Sequence, residues 1–158
     1  MDWNLFTGER AGTDALLLAD FAKDAHGTYG ADLGCGSGIL LLLLLLGDES
    51  RRMTGVDIRE SAAASARENL RAFALEERGE AVCADYRSAP FESESLDFIV
   101  SNPPYIKTDD IKDLDPEVQY EPYIALNGGY DGLEFYKIIA SKYSRYLKSS
   151  SEIAMEVG

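Results

Sequence analysis

The run Ser101-Asn102-Pro103-Pro104-Tyr105 carries the most specific chemistry in the sequence. Two consecutive prolines lack backbone N–H donors and hold a stiff, extended turn. The carbonyl of Pro103 and the side-chain oxygen of Asn102 can then point into one site. Together they can accept both hydrogens of a planar NH2 group, which restrains the nitrogen and favours its pyramidal form in a transition state. Tyr105 offers a flat face for a planar target. Pro-Pro by itself would be only a turn, so the weight of this motif depends on what precedes it.

Upstream lies Asp32-Leu33-Gly34-Cys35-Gly36-Ser37-Gly38, with glycines spaced G-x-G-x-G. Glycines permit a tight turn and close approach of a ligand to the backbone. A dinucleotide fingerprint would read G-x-G-x-x-G, and Ile39 occupies its last position. The loop therefore lacks the usual pyrophosphate cradle. Asp32 immediately before it suits a cationic ligand better than a diphosphate. S-adenosylmethionine is such a ligand, with an ammonium, a sulfonium and no phosphate. A tight turn without a ligand is the alternative. Gly55-Val56-Asp57 follows, and an acid there can accept from both ribose hydroxyls, as in dinucleotide sites. Ala84-Asp85-Tyr86 comes next, with Asp85 placed to accept from an adenine amino group and Tyr86 to flank the ring; either could equally be a turn residue. The expected cofactor set is Asp32, Gly34, Cys35, Gly36, Gly38, Asp57, Ile58, Asp85, Tyr86 and Asn102. Asn102, Pro103 and Tyr105 are the expected catalytic residues, and no metal is expected.

These residues need a frame that brings them to one edge. Apolar periodicity predicts helices over 13–25, 38–46, 60–77 and 133–147, and strands over 29–33, 53–58, 80–84, 96–101 and 151–157. Strands alternating with helices indicate a mostly parallel, twisted α/β sheet with helices on both faces. Ligands in such sheets bind beyond the carboxyl ends of the strands. Each motif above falls just after a predicted strand.

The 158 residues suit one domain, taken as 1–158, and 27% charged residues with 46% hydrophobic read as globular. The longest apolar run, 39–46, is too short to span a bilayer, which needs about 20 residues. The opening Met1-Asp2-Trp3-Asn4 is no signal peptide, so the expected location is the cytoplasm. Cys35 and Cys83 show no CxxC spacing and His26 is the only histidine, which argues against a zinc site or a Ser-His or Cys-His triad. Both cysteines are expected to be small buried thiols. A net charge of −13 disfavours a phosphate backbone as partner. The densest basic stretch, Lys137, Lys142, Arg145 and Lys148, reads as a solvated helix face. The residues after the proline motif are acidic: Asp109, Asp110, Asp113, Asp115, Glu117 and Glu121.

With these motifs in order, the chain resembles the class I S-adenosylmethionine-dependent methyltransferases, in the branch with an Asn-Pro-Pro-Tyr signature. The resemblance implies a Rossmann-like fold and S-adenosyl-L-methionine as cofactor. From Asn102 to Ile106, and through Pro116-Glu117-Val118, Glu121-Pro122, Ala125-Leu126 and Gly128-Gly129-Tyr130-Asp131-Gly132-Leu133-Glu134-Phe135-Tyr136, it is similar to the HemK/PrmC-type N5-glutamine methyltransferases. That implies Gly34, Gly36, Asp57 and Asp85 at the cofactor, and Asn102, Pro103 and Tyr105 around the glutamine amide of a peptide chain release factor. The segment from Gly12 to Phe21 instead resembles tRNA adenine-N6 methyltransferases. Three readings follow: a protein-glutamine N-methyltransferase, favoured by the acidic charge; a tRNA adenine-N6 methyltransferase; and a truncated cofactor-binding domain without turnover. Compared with the family, the usual last two strands are expected to be lacking. An exposed sheet edge would then invite a homo-oligomer.

Overall fold

A computed structural model describes residues 6–7, 12–85, 87, 91–115 and 122–157. They form two compact units, Met1–Asn102 with Arg145–Glu156, and Pro103–Ser144 with Val157–Gly158.

The first unit is a five-stranded sheet of β1 (Tyr29–Leu33), β2 (Arg52–Asp57), β3 (Gly79–Cys83), β4 (Leu96–Ser101) and β5 (Leu147–Met155). Its order is β3-β2-β1-β4-β5 and every described pairing is parallel. The chain steps outward from β1 to β3, then crosses back to β4 on the other side of β1. At such a reversal, beyond the carboxyl ends of the strands that flank it, here β1 and β4, open α/β sheets hold their ligands. Helices α1 (Thr13–Ala22), α2 (Ile39–Gly47) and α3 (Glu60–Ala72) bury their apolar residues against one face. α2 is apolar all round, and Leu40, Leu41, Leu42, Leu44 and Leu45 are buried accordingly. On the same face Phe98 covers Gly30, whose missing Cβ leaves room for the ring.

Three helix ends come earlier than periodicity predicts, and one strand, β5, begins four residues sooner. α1 stops at Ala22 rather than at 25, where the buried guanidinium of Arg51 donates to the carbonyls of Ala22, Lys23 and Ala25. The same guanidinium lies over the Phe98 ring, 4.9 Å from its centroid. α3 stops at Ala72 rather than at 77. Ala74 takes a left-handed φ of 55°, and the Leu75 and Ala74 N–H groups donate back to Leu70 and Arg71. That is a Schellman end built without glycine, so no glycine in the sequence marks it. The helix predicted over 133–147 is α5 (Glu134–Lys142) followed by a 3-10 turn at Tyr143–Arg145. β5 then begins at Leu147 rather than at 151, and Lys148, Ser149 and Ser150 are exposed on an edge strand where no apolar alternation is required.

The second unit holds a short 3-10 turn at Ile111–Asp113, α4 (Tyr123–Leu126) and α5, with an isolated parallel bridge between Ile106 and Asn127. No helix of the described residues is long and apolar enough to cross a membrane.

Candidate functional site

In the first unit the glycine loop leaves β1 and is stapled to β2: the Gly34 and Cys35 N–H groups both donate to Val56 O, at 2.8 and 3.1 Å. Gly34, Gly36 and Gly38 have φ of 75°, 53° and 83°, a region that disfavours other residues. They serve different ends. A Cβ at Gly34 or Gly36 would meet nothing within 4 Å, so the loop is open to a ligand there. A Cβ at Gly38 would lie 3.0 Å from the Cβ of Ala66, so this glycine admits α3 and starts α2. Of the three expected cofactor glycines, Gly38 therefore has a packing role.

Asp32 ends inside the protein, 1% exposed, and neither carboxylate oxygen has a hydrogen-bond partner among the described residues. Burial, with the nearby negative charge of Asp57 as the smaller cause, pushes its pKa up to about 8. A buried anion without a donor is costly, and either a proton or a cationic ligand relieves it. Asp57 is 5% exposed and already engaged. Its Oδ2 accepts from the Gly36 N–H at 2.9 Å and its Oδ1 from the Arg59 N–H at 2.9 Å. Each carboxylate oxygen has two lone pairs, so Asp57 fixes the loop and retains capacity for further donors. Cys35 is buried, and its thiol pKa is pushed up by burial and by Asp32 and Asp57, so it stays a neutral packing group beneath the loop.

Ile58, just past β2, is 45% exposed and offers an apolar surface at the carboxyl edge. Asp85 lies beyond β3, with its carboxylate paired to Arg87: Arg87 Nε donates to Oδ2 at 2.8 Å and Nη2 lies 2.6 Å from the same oxygen. Tyr86, expected beside it, lies outside the described residues. Cys83 departs from expectation: it is exposed, because it closes an edge strand. At the end of β4, Ser101 is buried and its hydroxyl donates to Leu33 O at 2.7 Å, which ties β4 to the start of the glycine loop. Asn102 follows as an exposed residue.

Asn69 of α3 has no precedent in the sequence reading. It is wholly buried, accepts from the Thr7 N–H at 2.7 Å, and donates from Nδ2 to Thr7 O and Ser37 O, each at 2.8 Å. It anchors the glycine loop from below. Its signal was available: a lone amide facing inward from an Ala-rich helix.

In the second unit Pro103 is buried, Pro104 half-buried and Tyr105 39% exposed. The strand-like stretch after Tyr105 is bonded to the turn that precedes α5. Ile106 N–H donates to Leu126 O at 3.1 Å, Gly128 N–H to Ile106 O at 2.8 Å, and Thr108 N–H to Gly129 O at 3.0 Å.

A family model described as methyltransferase small domain matches residues 4–115. The chain belongs to that family. Among curated relatives of this methyltransferase small domain, the release factor glutamine methyltransferase of Caulobacter vibrioides is 41% identical over 128 residues, 80% of this chain and 44% of that one. The Rhodospirillum rubrum protein of the same name is 40% identical over 151 residues, 94% of this chain and 46% of that one. That of Agrobacterium fabrum is 41% identical over 152 residues, covering 92% and 50%. The chain thus spans about half the length of these relatives. Geranyl diphosphate C-methyltransferase from Streptomyces coelicolor A3(2), solved with S-adenosyl-L-homocysteine, matches with a TM-score of 0.62 at 16% identity, over 89% of this chain and 45% of that one. That likeness shows the fold, Rossmann-like and α/β.

In the methyltransferase small domain the sheet therefore brings Asp32, the glycine loop, Asp57 and Ile58 to the carboxyl ends of β1 and β2, with Asp85 beyond β3 and Asn102 beyond β4. Pro103 and Tyr105 belong to the second unit, held by its own turn.

Proposed function

We propose that this chain is an S-adenosyl-L-methionine-dependent N-methyltransferase that methylates the side-chain amide of a glutamine in a peptide chain release factor. The observation that carries the reading is Asp32. Its buried, unpartnered carboxylate beside an open glycine loop fits a ligand that brings its own positive charge and no phosphate. S-adenosyl-L-methionine fits these residues on both counts. In this reading Asp32 pairs with its ammonium, the loop of Gly34, Cys35 and Gly36 lies against it, Asp57 accepts from the ribose, Ile58 and Tyr86 flank the adenine, and Asp85 accepts from the adenine amino group. The bound cofactor supplies an electrophilic methyl already activated on a sulfonium.

The chain's own residues then mainly align and desolvate the acceptor. Asn102 Oδ1 and the Pro103 carbonyl accept the two N–H bonds of the amide, drawing its lone pair out of conjugation. Tyr105 lies against the flat amide. Glutamine is favoured over a nucleobase by the net charge of −13 and by the name of the relatives at about 40% identity. Residues 1–158 are taken as one methyltransferase domain acting in the cytoplasm, with the edge strand β5 as the candidate surface for self-association.

The deciding experiment offers labelled S-adenosyl-L-methionine with a release factor or with unmodified tRNA. Label is expected in the release factor, at glutamine. Label in RNA alone would replace the acceptor, and no calorimetric binding of the cofactor would remove the enzyme reading. Light scattering on the eluted protein checks the β5 edge, where a clean monomer would rule out a stable oligomer.

A further inference from the structure

The sequence run Gly128-Gly129-Tyr130-Asp131-Gly132 has no task in the chemistry above, although it sits against one of the residues that does. A Cβ built on Gly128 would lie 2.7 Å from Tyr105 Cα, 2.8 Å from Tyr105 C and 2.8 Å from Pro104 O. One built on Gly132 would fall well inside contact distance of Tyr105 O. The atoms met are backbone, so no side-chain rotation relieves the overlap. Gly132 also has a φ of 74°, whereas Gly128 is outside the left-handed region, so at Gly128 the need is for space alone. The turn is bonded to the same stretch on either side, through Gly128 N–H to Ile106 O and Thr108 N–H to Gly129 O. Asn127 completes the clamp: its Oδ1 accepts from the Thr108 hydroxyl at 2.8 Å and the Gly129 N–H at 3.0 Å, and its Nδ2 donates to the Tyr123 hydroxyl at 3.0 Å.

We propose that Gly128 and Gly132 are positioning residues for methyl transfer: the turn they form presses flat on the Pro104–Tyr105 backbone and sets where Tyr105 meets the acceptor amide. This rests on the reading of Tyr105 as an acceptor-side residue. Tyr105 is 39% exposed as a residue, and what the two glycines meet is its backbone. A methyl at Gly128 displaces Tyr105 and Pro104 themselves. Misplacement of an aligning group by about 1 Å is enough to cost on the order of 100-fold in rate.

The test compares the full chain with Gly128→Ala, Gly132→Ala and Asp131→Asn. The last breaks the Asp131–Lys137 ion pair at the same turn and adds no atom near Tyr105. Three quantities are read: kcat and acceptor KM for transfer from labelled S-adenosyl-L-methionine to a release factor; the cofactor Kd by calorimetry; and amide hydrogen exchange at Ile106 and Thr108. Both glycine variants are expected to lose about 10- to 100-fold in kcat, keep the cofactor Kd within about 3-fold, and exchange faster at Ile106 and Thr108. Asp131→Asn is expected to stay within about 2-fold of the parent throughout, because it leaves the alignment of Tyr105 untouched. Parental kinetics in Gly128→Ala, or an equal loss in Asp131→Asn, would overturn the inference. So would loss of cofactor binding in both glycine variants, which would mean that the turn supports the whole fold. Were the parent itself to methylate no release factor, the acceptor reading would fall separately. The exchange data then decide alone, with unchanged protection at Ile106 and Thr108 in the glycine variants counting against the positioning role.

Discussion

The glycine loop after β1 and the segment from Pro103 to Tyr105 are built by opposite means. At the loop, regular elements do the positioning. Parallel register sets Leu33 beside Val56 and Ser101, Val56 O takes two loop N–H groups, and Asn69 and Asp57 hold Ser37 O and the Gly36 N–H. The second region lies outside any strand or helix; its neighbours Ile106 and Thr108 are bonded to the turn at 126–129, and the backbone at Pro104–Tyr105 packs where Gly128 and Gly132 carry no Cβ. The carboxyl ends of the strands hold the glycine loop, the proposed cofactor end, through several hydrogen bonds. The irregular turn proposed as the acceptor end depends more on close backbone contact. Changes near the loop should therefore act mainly on cofactor affinity and stability, and changes near the prolines mainly on transfer.

The hardest break of that contrast is Asn102→Ala. Removing an acceptor that draws out the amide lone pair is expected to cost at least about 100-fold in kcat, with cofactor affinity within a few-fold of the parent. Single-turnover transfer and calorimetry on the same preparation read both. Substantial residual transfer would mean that the acceptor group has been misassigned.

Asp32 tests the other side through pH. Its folded pKa of about 8 lies above the ordinary carboxylate value of 3.8, so between those values the folded chain holds a proton that the unfolded chain has lost. Stability without cofactor is fully present below pH 4 and falls as pH rises toward 8, by up to about 1.4 kcal/mol per pH unit. Asp32→Asn lacks this slope. Its Tm is expected to match the parent below about pH 3.5 and exceed it increasingly toward pH 8, while cofactor affinity falls at least about 10-fold because the charge partner is gone. Parallel Tm profiles across that range would show that Asp32 is not the orphaned anion described.

Much of the glycine-loop region was legible in the sequence as structure. β1 and β4 fall where the apolar runs place them, and the glycine spacing, Asp32 and Asp57 all come at strand ends. Regular elements leave periodic traces, which is why they could be read. The misreadings occur where a long-range side chain or a special backbone angle intervenes. Arg51 ends α1 from 26 or more residues away, and Ala74 ends α3 in a conformation that the sequence does not announce. The role of Gly128 was illegible for a related reason. A glycine needed for space rather than for φ looks like any other until the backbone opposite it is known.

Asn69→Ala asks whether the loop is as redundant as its hydrogen bonds suggest. The substitution removes four part-buried hydrogen bonds, three with Thr7 and one with Ser37 O, and takes this partner from both backbone groups of Thr7. Each stranded group costs about 1–3 kcal/mol if water cannot reach it, so a loss of about 2–3 kcal/mol in denaturant unfolding is expected after partial relaxation. Cofactor Kd should rise with it, and the acceptor KM should not. A changed acceptor KM with unchanged Kd would reverse the assignment of the two ends.

Arg87→Ala gives the smallest effect and the finest resolution. The Asp85–Arg87 pair is partly exposed, at 31% and 54%, so its loss should move stability by less than about 1 kcal/mol. The informative quantity is the sign of the change in cofactor affinity. Arg87 occupies Asp85 Oδ1 and Oδ2 in this structure, so an adenine amino group at Asp85 competes with it. Freeing the carboxylate is expected to tighten S-adenosyl-L-methionine binding by about 3-fold or less, within the energy of such an exposed pair. Weaker binding in Arg87→Ala would instead mean that the guanidinium holds Asp85 in its working orientation, as Asn69 holds Ser37. The cofactor end would then be preformed from β1 as far as β3, rather than only at the glycine loop.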